Sequence, residues 1–225
     1  MTKIDIHPTS SGDIRLGGDY FIKKLRRSRD QERKGFYNDA CEIRLEAVET
    51  LLDVIGEEGP TFDWEDDNSR AALELLYMSG IDHLGIGELT TAVGLWEALS
   101  ERDEEDHFAT SILLAFCYVP IEDFDCLESV LFDISPKRPE YHLIMLWQEH
   151  FRSGGIDIDS LRELRTRHKA WFAEILADSH PADEAYIADS RKEKPSPTTE
   201  ARELWFVLEP LFASYPEFIE MLRKA

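Results

Sequence analysis

Residues 73–106 read LELLYMSGIDHLGIGELTTAVGLWEALSERDEED. On either side of the glycine-bearing centre, apolar residues recur every three to four positions, the spacing of one buried helix face. The stretch predicts two helices, Asn68 to His83 and Glu88 to Glu101, turning at Gly87, where the missing Cβ permits a left-handed backbone. Gly80 and Ala92 are small enough to let the two helices approach closely, and Leu76, Trp96 and Leu99 fill the space beside them.

Outward from this hairpin the helical period continues. Candidate helices are Tyr20 to Lys34, Tyr37 to Ile55, Asp106 to Val119, Ile121 to Asp133, Glu140 to Ser153 and Ser160 to Ala177. Few stretches alternate as strands do, so the chain reads as all-α, built from antiparallel helix pairs. Gly56, Gly59 and Pro60 open an acidic loop, TFDWEDDN, in which Asp67 or Asn68 is expected to cap the next helix. Residues 1–19 read as an N-terminal tail and 179–199 as a mobile polar linker. Residues 200–225 read as a C-terminal capping helix that Pro210 and Pro216 divide, its Leu204, Trp205, Phe206, Leu208, Leu211 and Phe212 too apolar to be left in water.

A period of 34 residues links three units that begin at Leu73, His107 and Tyr141. The first, with Leu76, Gly80, Gly87, Ala92, Trp96 and Leu99, resembles the tetratricopeptide repeat (TPR) family, and the chain reads as a bacterial-type TPR-like protein. In the second, Leu113, Cys117 and Tyr118 keep the stripe, Leu114 and Ile121 replace both glycines, and Phe124, Leu127 and Leu131 arrive one residue late. The third restores turn glycines at Gly154 and Gly155. Upstream, Gly35, Tyr37, Ala40 and Ala47 resemble a half-repeat. The resemblance implies a right-handed α-α superhelix, a TPR-like solenoid over 20–178 with units near 21–55, 73–106, 107–140 and 141–177. A nonrepetitive bundle of the same hairpins is the alternative.

In this family the helix A residues on the concave surface bind partner peptides. Carried over, they are Glu74, Tyr77, Ile81 and Leu84, then Phe108, Ser111, Ala115 and Tyr118, then His142, Met145, Glu149 and Arg152. Tyr77, Ile81, Ser111 and Ala115 stand where the chaperone-binding branch holds its Lys and Asn carboxylate clamp, so chaperone-tail binding is not expected. An aromatic-lined groove suits a helix or an extended peptide.

The 225 residues hold 25 Lys and Arg against 46 Asp and Glu, a net charge of −21, with 43% hydrophobic and 11% aromatic content. Such a chain buries a core, repels nucleic acid and steers basic partners toward itself. Residues 1–34 run against the trend, with nine cations and five acids, so a basic leading helix precedes an acidic body. Cys41, Cys117 and Cys126 are odd in number and far from CxxC spacing, so reduced core thiols are expected. No signal-like start or membrane-length apolar run is read, and the expected location is the cytoplasm, without membrane contact.

Three features point toward chemistry and lead away from it. ERDEED at 101–106, followed by His107, gathers oxygens for a divalent ion, but consecutive residues point in different directions. His142, Glu149 and His150 share a helix without HExxH spacing. Neither GxSxG nor GxxxxGK[ST] occurs. Trp64, flanked by acids, is either packed onto the second helix pair or an exposed partner anchor. The expectation is therefore no enzyme, no catalytic residue, no metal and no cofactor. It is a noncatalytic adaptor or scaffold that binds a protein or peptide, with an acidic inhibitor or immunity-type protein masking a cationic site as the alternative.

Overall fold

The computed structural model describes residues 4–56 and 59–225. The first three residues of the expected tail, and Glu57 and Glu58 ahead of the acidic loop, fall outside this range. The chain divides into two compact units, Met1–Thr110 and Ser111–Ala225. Twelve helices and one two-stranded hairpin occur among the described residues.

The first unit begins with a hairpin where the sequence reads as a tail. Strands β1 (Ile6–Pro8) and β2 (Ile14–Leu16) pair antiparallel, and Ile14 bridges Phe62 in parallel. Ile14 and Leu16 alternate inward around an exposed Arg15, a period of two too short to register in a chain otherwise of helical period. Helices α1 (Tyr20–Arg33), α2 (Tyr37–Ile55), α3 (Asp67–Gly85) and α4 (Leu89–Ser100) follow. Helix α3 is the centre, packed on α1, α2, α4 and β2. Its cap is Asp66, whose carboxylate accepts the Ser69 amide at 2.8 Å, rather than Asp67 or Asn68. Asn68 is turned inward instead: its Nδ2 donates to the Leu16 carbonyl at 2.8 Å and its Oδ1 accepts the Phe21 amide at 3.0 Å. The α3–α4 pair closes as its glycines require, since an added Cβ at Gly80 would fall 2.2 Å from Trp96 Nε1, and Gly87 turns at φ 82°.

Two buried guanidiniums brace this unit. Arg44 donates to both Asp82 carboxylate oxygens at 2.7 and 2.8 Å and lies 3.0 Å from Glu32. Burial opposes its charge, and these carboxylates more than offset it, so its pKa rises. Arg102 donates to the Ala98 carbonyl at 2.7 Å and the Gly56 carbonyl at 3.1 Å.

The second unit holds α5 (Thr110–Tyr118), α6 (Phe124–Asp133), α7 (Pro139–Ser153), α8 (Ile158–Arg167), α9 (Lys169–Ile175), α10 (Glu184–Ser190), α11 (Pro197–Ser214) and α12 (Pro216–Lys224). Helix α5 starts later than the expected Asp106 because Asp106 and Ala109 are left-handed, and the Asp103 and Asp106 carboxylates accept the His107 and Thr110 amides. Helix α6 starts at Phe124, after a left-handed Glu122, with Asp123 as its cap. The single helix expected over Ser160 to Ala177 breaks at His168 (φ −118°, ψ 36°), beyond which Trp171 and Phe172 are buried. Pro216 divides the C-terminal segment, whereas Pro210 stays inside α11.

The core of this unit gathers around Trp147. Its Nε1 donates to the Phe116 carbonyl at 2.9 Å, and its ring meets Phe212, Phe218 and Tyr215 edge-on at centroid distances of 5.7, 4.7 and 5.6 Å. The 179–199 connection contains α10 and a knot: Asp189 accepts from Lys192 Nζ at 2.6 Å, Ser196 N at 2.8 Å and Thr199 Oγ1 at 2.6 Å. Those bonds hold the Asp189 carboxyl well below its ordinary pKa, Lys192 contributing most.

Candidate functional site

Helices α6 and α7 form the walls of a groove of about 780 Å³ in the second unit. Helix α6 supplies Phe124, Glu128, Leu131 and Phe132, and α7 supplies Tyr141, Met145, Gln148 and Arg152. The α7 residues stand at i, i+4, i+7 and i+11, one face of a helix. On α6, Leu127 is fully buried, while Phe132, five residues on and about 140° around the helix, is turned outward. Phe132 is 90% exposed and Phe124 38%. Folding leaves both rings exposed on a wall that they share with Leu131 and Glu128.

Of the residues carried over from the family, Met145 and Arg152 line this groove. Glu149, on the same helix, accepts the Ser153 hydroxyl at 2.5 Å and lies outside it. His142 is buried, with Nδ1 3.3 Å from Ser160 Oγ, and burial chiefly lowers its pKa. Leu84, Ala115 and Tyr118 are also buried, so these four belong to the interior instead of an open surface. Ser111 is half-buried. The groove's other lining residues escape the sequence reading, which placed Phe124 and Leu131 only in a packing stripe. Phe132, an aromatic off the Leu127–Leu131 stripe, is the signal that marks the site.

In the first unit, Glu74 is engaged by Arg29, Ile81 is half-buried, and Tyr77 stacks on Phe108 at 5.1 Å. Phe108 meets Trp64 edge-on at 5.6 Å, and Trp64 lies flat on His107 at 3.7 Å with the rings 4° from parallel. Trp64 is thus packed, half-buried, beneath the Arg70 guanidinium at 5.8 Å. His107 Nδ1 is 2.6 Å from Asp103 Oδ1 and Nε2 is 3.4 Å from Glu105 Oε2. The residues of ERDEED nearest this histidine therefore bind its ring, and an aromatic row closes the site. No group of three or more His, Cys, Asp or Glu side chains is arranged to hold a metal ion among the described residues. Among the same residues, no helix is long and apolar enough to cross a membrane.

Comparison with family models, with curated proteins and with solved structures finds no match.

Proposed function

We propose that this chain is a noncatalytic interaction module that holds a peptide or helix of another protein in the α6–α7 groove. The observation that carries the reading is Phe132, 90% exposed on the wall of an apolar groove. Covering one such ring contributes about 2 kcal/mol, and Phe124, Tyr141 and Met145 beside it extend the anchor. A tetratricopeptide-like organisation of the hairpins is part of the proposal. It is supported in the first unit by α3 packing on α1, α2 and α4, and by the close approach at Gly80.

A photo-crosslinking residue in place of Phe132, compared with one in place of the exposed Ile158 on α8, tests the reading in cells. A discrete protein adduct at 132 and none at 158 supports it. Equal adducts at both positions, or none at 132, overturn it.

The net charge of −21 favours a second reading, an acidic inhibitor that masks a cationic site. Binding by that route collapses at high salt even when Phe132 is intact, whereas groove binding persists.

A further inference from the structure

Resting on the groove reading above, we infer that the occupant of the α6–α7 groove is an amphipathic helix whose apolar stripe is flanked by lysine or arginine on the side that lies over α6. Both walls are helices, whose backbone donors and acceptors are satisfied internally, so no sheet edge is offered to an extended strand. A groove between two helices takes a third by ridge-into-groove packing. Helix α6 has 10 residues and is about 15 Å long, which seats about three turns of the occupant.

The charge on the two walls sets the flanks. Between Ile121 and Asp133 the chain carries Glu122, Asp123, Asp125, Glu128 and Asp133 and no cation. Asp123 is occupied as the helix cap. Asp125, Glu128 and Asp133 are exposed and, among the described residues, have no ion-pair partner. Glu128 itself lines the groove. The α7 wall offers neutral Gln148 and a single cation, Arg152. Lys137 and Arg138 lie in the turn between the helices, with Arg138 engaged by Glu140 at 2.9 Å. An incoming helix therefore meets uncompensated carboxylate along α6, where cations on its flank gain and acids lose.

The test uses synthetic helical peptides of about 14 residues with leucines at i, i+3, i+4 and i+7 and, at the other positions, lysine, glutamine or glutamate. Binding to the full chain is measured by calorimetry at two salt concentrations. The Leu/Lys peptide is expected to bind at least tenfold more tightly than the Leu/Glu peptide. Phe132→Ser, which leaves the charge unchanged, weakens it at least tenfold, separating groove binding from adsorption to an acidic surface. Glu128→Gln weakens Leu/Lys binding severalfold and leaves Leu/Gln binding as it was. If Leu/Gln and Leu/Lys bind equally and Glu128→Gln changes neither, the basic partner is overturned while the groove reading stands. If no peptide binds, or Phe132→Ser leaves the binding that occurs unchanged, both fall.

Discussion

The indole of Trp96 fills the space that a side chain at Gly80 would occupy. Its Nε1 donates to the Tyr77 carbonyl at 3.2 Å, one turn before Gly80 on α3. Gly80→Ala drives a Cβ to 2.2 Å from that nitrogen, so either the indole or the α3–α4 spacing must yield. Overpacking of this kind costs about 1–3 kcal/mol, measurable as a lower urea midpoint at unchanged slope. A midpoint equal to that of the parent would show that the helices separate freely there.

Glu122 holds a left-handed backbone at φ 61° in the turn before α6. Glycine adopts that conformation without the clash of a Cβ, so Glu122→Gly is expected to raise stability by about 1 kcal/mol. The mirror change, Gly87→Ala at φ 82°, lowers it by a similar amount. Thermal melts of the two variants should move in opposite directions, and movement in the same direction refutes the assignment.

These two turns show how far the sequence could be read. The 34-residue period places the counterpart of Gly87 at Ile121, and the structure puts the left-handed residue one position later, at Glu122. The same one-residue delay is visible in the sequence at Phe124, Leu127 and Leu131. The α3–α4 hairpin was legible because Gly80, Gly87 and Trp96 each have a steric reason to be where they are. The groove was legible only in part. The family register gives a face of 142, 145, 149 and 152 on α7, and the observed face is 141, 145, 148 and 152, a rotation of about 50°. Met145 and Arg152 survive that rotation, while His142 and Glu149 leave the groove. Nothing local marks the Ile6–Leu16 hairpin, because its partners are Phe62, Asn68 and Ser69, about fifty residues away.

Cys117 is buried, and burial pushes its thiol up to about 12. With Cys41 and Cys126 only half-buried, a thiol reagent at neutral pH should count no more than two groups in the native protein and the third only after denaturation. Three groups titrating rapidly without denaturant would contradict this packing.

His142 is held below its ordinary pKa chiefly by burial, with His168 adding to the effect and Glu163 and Asp157 opposing it. The unfolded imidazole titrates near about 6.5, so below that pH the unfolded chain binds more protons than the folded one. The contribution of His142 to stability is therefore level above about pH 6.5 and falls as the pH drops toward the folded value. His142→Gln should flatten that fall below about pH 6.5 in denaturant titrations. An unchanged slope would remove His142 from the account.

The Asp189 knot should keep the 191–199 segment closed to proteases. Asp189→Ala removes the acceptor for Lys192, Ser196 and Thr199 at once and should admit trypsin at Arg191 or Lys192. Cleavage no faster than in the parent chain would place the restraint elsewhere.

The tie that Asn68 makes to Leu16 and Phe21 imposes an order of assembly. The hairpin shares its central residue, Ile14, with Thr61 and Asp63, whose backbone atoms bond it at 2.8 and 2.9 Å, and its exit is fastened by the first turn of α3. Closing a loop of about fifty residues before α3 exists has little to reward it. The β1–β2 segment is therefore expected to dock only once residues near 70 have been wound into α3.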